Sequence, residues 1–212
     1  MLGVAFVSAT CGSMLSTSVY AEVNPVEIQQ VFQQLSAHSV VRAQFEQSKQ
    51  LGSVNKTFKS TGKVLFAKNN GVLWQMQTPV QADMVMTPKK LVQKTARTQS
   101  EIKLDKSPYG AVANVFLQLM TGDVKTLQQN FNIQSAEINR NQQPATWQIR
   151  LTPKAPILQK LFNVVEASGA EYVQRMVIYD KSQNSTIINF KQQTNQPSTL
   201  STSEHALFQL AK

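Results

Sequence analysis

The stretch Gly62-Lys63-Val64-Leu65-Phe66-Ala67-Lys68-Asn69-Asn70-Gly71-Val72-Leu73-Trp74-Gln75-Met76-Gln77-Thr78-Pro79 decides the fold class. Two runs of aliphatic and aromatic residues, Lys63–Lys68 and Val72–Gln77, flank the turn Asn69-Asn70-Gly71, and Thr78-Pro79 closes the second run. Such punctuation predicts short strands joined by tight turns. Just upstream, Val41, Ala43 and Phe45 alternate with Arg42, Gln44 and Glu46, a half-buried strand by its period of two. Downstream, strand-like runs recur at Asp83–Thr87, Leu91–Ala96, Phe131–Ile138, Thr146–Leu151, Asn163–Ala167, Tyr172–Tyr179 and Thr186–Lys191. Pro88-Lys89-Lys90, Ser168-Gly169 and Asp180-Lys181-Ser182 supply turns between them.

Two helices interrupt this pattern. Asn24-Pro25-Val26-Glu27 places a capping Asn, a Pro at the first helical position and a Glu three residues after the cap. Ile28, Val31, Phe32 and Leu35 then form one apolar stripe. Ser107-Pro108 opens a second helix with Val112, Val115, Phe116, Leu119 and Met120 on one face and Gly122 as its stop. Ten or eleven antiparallel strands are too many for a flat sheet, so the chain is expected to be mainly β with α, curled into a barrel or a strongly bent sheet. The 212 residues, 42% hydrophobic and 16% charged, can bury one domain's core and do not have the composition of a disordered chain.

Residues 1–21 carry no charged side chain and end in Val19-Tyr20-Ala21, which predicts a secretory signal peptide and leaves residues 22–212 as a single domain. Cleavage there removes Cys11, the only cysteine, and with it any disulfide or thiol chemistry. His38 at the end of the first helix and His205 in the Ser/Thr-rich tail are expected to be solvated side chains. With no paired-carboxylate cluster and no glycine-rich phosphate loop, neither catalysis nor a metal or cofactor site is expected. The net charge of +9 includes cations scattered from Lys49 to Lys106 with no aromatic residues interleaved at base-stacking spacing, which disfavours nucleic acid as a partner. A basic rim for transient contact with a membrane surface is the more economical reading, beside that of a merely solvated face.

Trp74, Met76, Met84, Met86, Phe45, Phe66, Phe116, Leu119 and Met176 fall on faces expected to point inward. A methionine-rich interior adapts to a variable apolar guest, although an ordinary packed core has the same composition.

The run Gln44-Phe45-Glu46-Gln47, the block from Gly62 through Trp74 to Pro79, and Trp147-Gln148-Ile149-Arg150-Leu151-Thr152-Pro153-Lys154, followed by strands ending in Phe190-Lys191-Gln192-Gln193, resemble the outer-membrane lipoprotein carrier (LolA) family. The resemblance implies a half-open antiparallel barrel of about eleven strands, its mouth closed by two or three helices. It also implies a monomeric periplasmic carrier that holds acyl chains of lipoproteins or a related envelope lipid between an inner-membrane donor and an outer-membrane acceptor. The lipid-binding set would be Phe45, Phe66, Trp74, Met76, Met84, Met86, Val112, Phe116, Leu119, Ile149 and Met176, with the second helix as a lid that cargo displaces. Two features depart from the family pattern. The turn Lys68-Asn69-Asn70-Gly71 stands where relatives commonly carry a lid-tying arginine, whose forked donors Lys and Asn do not replace, and the chain stops soon after Leu210. Both are more similar to divergent family members linked to envelope-lipid or polyene export. The competing expectation is an interaction module with a filled barrel.

Overall fold

The computed structural model describes residues 24–103, 115 and 117–211. The expected leader, with Cys11, lies outside the described residues. Helix α1, Pro25–Ser36, starts as its sequence dictates, with the Asn24 side chain accepting a hydrogen bond from the Val26 amide at 3.0 Å. Glu27 does not close a capping box but receives a hydrogen bond from Arg140 at 3.1 Å. Val31, Phe32 and Leu35 are buried, as the stripe predicts.

Strands β1 (Val40–Leu51), β2 (Lys56–Ala67), β3 (Gly71–Thr78), β4 (Ala82–Met86), β5 (Lys90–Lys94) and β6 (Gln99–Lys103) form one antiparallel meander. A helical stretch over residues 117–121 (α2) and helix α3 (Val124–Asn130) lead into the second meander. It comprises β7 (Phe131–Asn139), β8 (Thr146–Pro153), a short α4 (Pro156–Gln159), β9 (Phe162–Gly169), β10 (Val173–Asp180) and β11 (Ser185–Thr194), and α5 (Thr202–Gln209) follows. The strand order is β6-β5-β4-β3-β2-β1-β11-β10-β9-β8-β7, so pairing of β1 with β11 fuses the meanders into one eleven-stranded sheet. The edge strands β6 and β7 do not pair, and the sheet is an open, half-barrel structure, as expected.

Alternation assigns the faces. Val41, Ala43 and Phe45 of β1 join the large inner cluster with α1, while Val40 belongs to a second cluster on the outer face with Leu65, Leu73, Val85, Val92 and Phe208 of α5. Helix α5 therefore covers the outside of the sheet, and α1 and α2 pack inside it. Where α2 meets α1, Gly122 ends α2 in a left-handed conformation (φ 67°), and a β-carbon there would press on Ser36 of α1. Gly62 faces Phe45 across the β1–β2 pair, and a β-carbon at that position would collide with the Gln75 carbonyl oxygen and the Phe45 ring.

The two ends of the sheet differ. One end holds the α1–β1 junction and the β2–β3 and β9–β10 turns. The other, the distal end, gathers the β1–β2, β3–β4, β5–β6 and β10–β11 turns and the α4 connection. Two bonds tie the distal turns together, from Gly52 N to Asn184 Oδ1 at 3.1 Å and from Lys181 N to the Leu161 carbonyl at 2.9 Å.

Candidate functional site

The inner face is filled at one end and hollow towards the other. Under α1 and α2, the side chains of Phe32, Leu119, Ile149, Leu151 and Met176 are fully buried in a continuous cluster. Next to it stands an aromatic wall: the Phe45 and Trp74 rings lie 4.1 Å apart, and Phe190 meets Phe66 and Trp74 edge-on at 6.0 and 6.2 Å. Such pairs contribute about 0.5–1.5 kcal/mol each beyond burial, which makes this wall a firm boundary.

Beyond the wall lies a groove of about 360 Å³. Trp74 and Met76 of β3, Met84 and Met86 of β4 and Leu91 of β5 line one side, and Phe162, Ile178 and Ile188 of β9–β11 line the other. β5 and β9 are seven places apart in the strand order. In a flat sheet they would be about 34 Å apart at ~4.8 Å per strand. Their sharing of one groove shows how strongly the sheet curls. The volume falls in the range of roughly 300–1,000 Å³ typical of ligand cavities.

The polar lining is confined mainly to the distal mouth: Gln47 and Lys49 of β1, Ser60 of β2, Asp180 and Thr186. The Asp180 carboxylate is already committed, accepting from the Ser182 and Asn184 amides at 2.8 and 2.9 Å and from Asn184 Nδ2 at 2.8 Å. These neutral donors hold the β10–β11 turn, and neither Asp180 nor Lys49, the two formal charges of the lining, is in an ion pair among the described residues.

The structure divides the expected lipid-binding set. Trp74, Met76, Met84 and Met86 line the groove together. Phe45 and Phe66 stand in the aromatic wall, and Leu119, Ile149 and Met176 belong to the filled part. Val112 and Phe116 lie outside the described residues. Leu91, Phe162, Ile178 and Ile188 are lining residues that the sequence reading did not single out; Leu91, Ile178 and Ile188 fall within predicted strands, and only the curl brings them opposite the methionines.

No group of three or more metal-ligating side chains occurs among the described residues. Their carboxylates are mostly engaged: Glu166 with Arg150, Glu46 with Lys191 at 2.8 Å and Glu101 with Lys90 at 3.2 Å. His38 is held from three sides. Its Nδ1 lies 3.0 Å from Asn195 Nδ2, its Nε2 lies 3.3 Å from Glu171, and its ring stacks at 4.9 Å on Tyr172. This cluster joins the end of α1 to the β9–β10 turn and to the segment after β11. Burial, reinforced by a hydrogen bond to Glu171, holds the Tyr172 phenol above its usual pKa. No described helix is long and apolar enough to cross a bilayer.

One known structure shares this architecture at the level of the fold. A DUF1329 family protein from Desulfovibrio piger superposes with a TM-score of 0.50 at 11% identity, covering 86% of this chain and 96% of that one. A LolA superfamily protein from Nitrosomonas europaea gives a TM-score of 0.46 at 10% identity, over 79% and 92% of the two chains. No curated protein matches the sequence. The family model described as outer membrane lipoprotein carrier protein LolA matches residues 36–208, from the end of α1 through α5. On that span, with its open eleven-stranded sheet and helix-covered inner face, the chain belongs to the LolA family.

Proposed function

We propose that this protein is a periplasmic carrier that binds acyl chains of lipoproteins, or of a related envelope lipid, in the groove between β3–β5 and β9–β11 and moves them from the inner towards the outer membrane. The observation that carries this reading is the lining itself: three methionines and a tryptophan facing Phe162, Ile178 and Ile188 across about 360 Å³. Methionine conforms to guests of different shape, which suits a carrier with varied cargo. Family members are generally carriers without enzymatic activity.

Hiding a methylene from water gains about 0.8 kcal/mol, so a long chain binds too tightly for handover unless something competes with it. Helix α2 is the competitor in this reading. Its Leu119 is fully buried against the inner cluster, yet the neighbouring Gln118 carries a buried side-chain oxygen without a hydrogen-bond partner among the described residues. An unsatisfied buried acceptor costs about 1–3 kcal/mol and weakens the seating of α2. Cargo then exchanges one apolar contact for another.

Native mass spectrometry of the protein purified from the periplasm tests the assignment. Lipid adducts that a mild detergent displaces are expected. A protein free of adducts that also takes up no hydrophobic probe would instead support the second reading, a filled interaction module, which the tight cluster under α1 favours.

A further inference from the structure

The distal end of the sheet carries a pattern that the groove does not require. Of the six large hydrophobic side chains exposed among the described residues, five lie there: Val54 and Phe58 on the β1–β2 hairpin, Val80 after β3, Ile157 on α4 and Tyr179 at the end of β10. They are separate tips spread over four connections rather than one patch. Between them stand exposed cations, Lys56, Lys59, Arg97, Lys154, Lys160 and Lys181. None of these six is in an ion pair among the described residues. In the distal segments 49–59, 78–82, 94–99, 153–162 and 180–185, the single carboxylate is that of Asp180, which the β10–β11 turn consumes. Near the opposite end the carboxylates are engaged, Glu27 with Arg140 and Glu171 beside His38, although the exposed Lys68 and Lys89 there are in no ion pair among the described residues.

We infer that the distal end is a docking surface for an anionic lipid bilayer, with the apolar tips entering the headgroup region and the lysines lying over the phosphates. The inference rests on the carrier reading in one respect: the groove mouth opens among these same turns, so docking would present it to the lipid. The composition favours a bilayer over an acidic protein. Five of the six cations are lysines, which are depleted in protein interfaces, whereas arginine is enriched there. Lysine stems lie along apolar surface while the ammonium stays in water, as an interface between lipid and solvent demands. Isolated apolar tips ringed by cations gain from headgroup insertion and electrostatic attraction together.

Co-sedimentation with vesicles of phosphatidylglycerol or of phosphatidylcholine tests the surface. The protein is compared with a Lys56→Gln/Lys160→Gln/Lys181→Gln variant and a Val54→Ser/Ile157→Ser variant, all at exposed positions outside the groove lining. Uptake of N-phenylnaphthylamine without vesicles is measured in parallel. The wild type is expected to bind phosphatidylglycerol vesicles in preference, the triple variant to lose on the order of 100-fold in affinity, and the double variant to bind more weakly. Probe uptake stays intact in both. Equal vesicle binding by the wild type and the triple variant would overturn the inference. So would a wild type that ignores both vesicles, including one retained on polyglutamate, which would assign the surface to an acidic protein. Failure to bind vesicles with probe uptake intact removes the docking surface and leaves the carrier. Vesicle binding without probe uptake removes the carrier and leaves the docking surface.

Discussion

Arg42 of β1 and Glu204 of α5 face each other through two parallel hydrogen bonds, Nε to Oε1 at 2.8 Å and Nη2 to Oε2 at 2.7 Å. The same guanidinium donates to the carbonyls of Pro197 and Thr199, and Glu204 also accepts from the Ser201 amide in a capping box. The fork ties the helix, the chain leading to it and the outer face of the sheet into one unit. Chiefly through its bonds to Arg42, the Glu204 carboxyl is pulled down from 4.5 to about 2. A carboxylate depressed in the folded state contributes its full stability above the unfolded pKa and loses it as pH falls towards the folded one. Docking of α5 should therefore weaken between pH 4.5 and about 2. Amide exchange in α5 should show this fall in the wild type and a much flatter dependence in Glu204→Gln.

Arg42→Ala removes all four donors at once. With hydrogen bonds to charged groups contributing about 1.5–3 kcal/mol, and part of that recovered by water at this half-buried site, the variant should lose about 2 kcal/mol in urea unfolding. Far-ultraviolet dichroism should stay close to that of the wild type, because the sheet's inner cluster is untouched.

Gly62→Ala should destabilise by about 1–3 kcal/mol, since the added methyl meets backbone and ring atoms that shift only together. A denaturation midpoint equal to the wild type's would show that the β1–β2–β3 register is looser than described.

Leu119→Ala separates the lid from mere packing. It should cost about 2–5 kcal/mol as a core truncation. If α2 competes with cargo, the same variant should also bind a hydrophobic probe more tightly. A loss of stability with probe affinity unchanged would leave α2 as structure only.

Met84→Glu places a charge in the groove wall at a position that is only half-buried. The fold should persist, because the carboxylate can reach the mouth, while probe affinity should drop at least ~10-fold. Fluorescence titration reads both variants on one scale.

Most of the sheet was legible from local pattern, and the exceptions have physical causes. β6, Gln99-Ser100-Glu101-Ile102-Lys103, has one apolar side chain, Ile102 against Leu91, and an edge strand needs no more. α5 was hidden in a polar tail, although Ser201-Thr202-Ser203-Glu204 carries the Ser-x-x-Glu spacing of a capping box that could have found it. The methionines of β3 and β4 were legible because a period of two assigns each strand's inner face. Depth along the barrel has no such period. Phe45, Met176 and Ile149 share the inward parity of Met84, yet they sit in the wall or under the helices. The opposite lining, Phe162, Ile178 and Ile188, depends on how far seven strand steps curl, which no local window records.

Trp74 lines the groove, while Trp147, the only other tryptophan, is buried and donates its indole N–H to the Ala170 carbonyl at 2.7 Å. In a Trp147→Phe variant, fluorescence therefore reports on the groove alone, and titration with a chain-brominated fatty acid measures whether an acyl chain enters it. Saturable quenching of Trp74, absent when Met84→Glu is added, is the expected result. Full Trp74 emission at every concentration of brominated chain would contradict acyl binding in this groove.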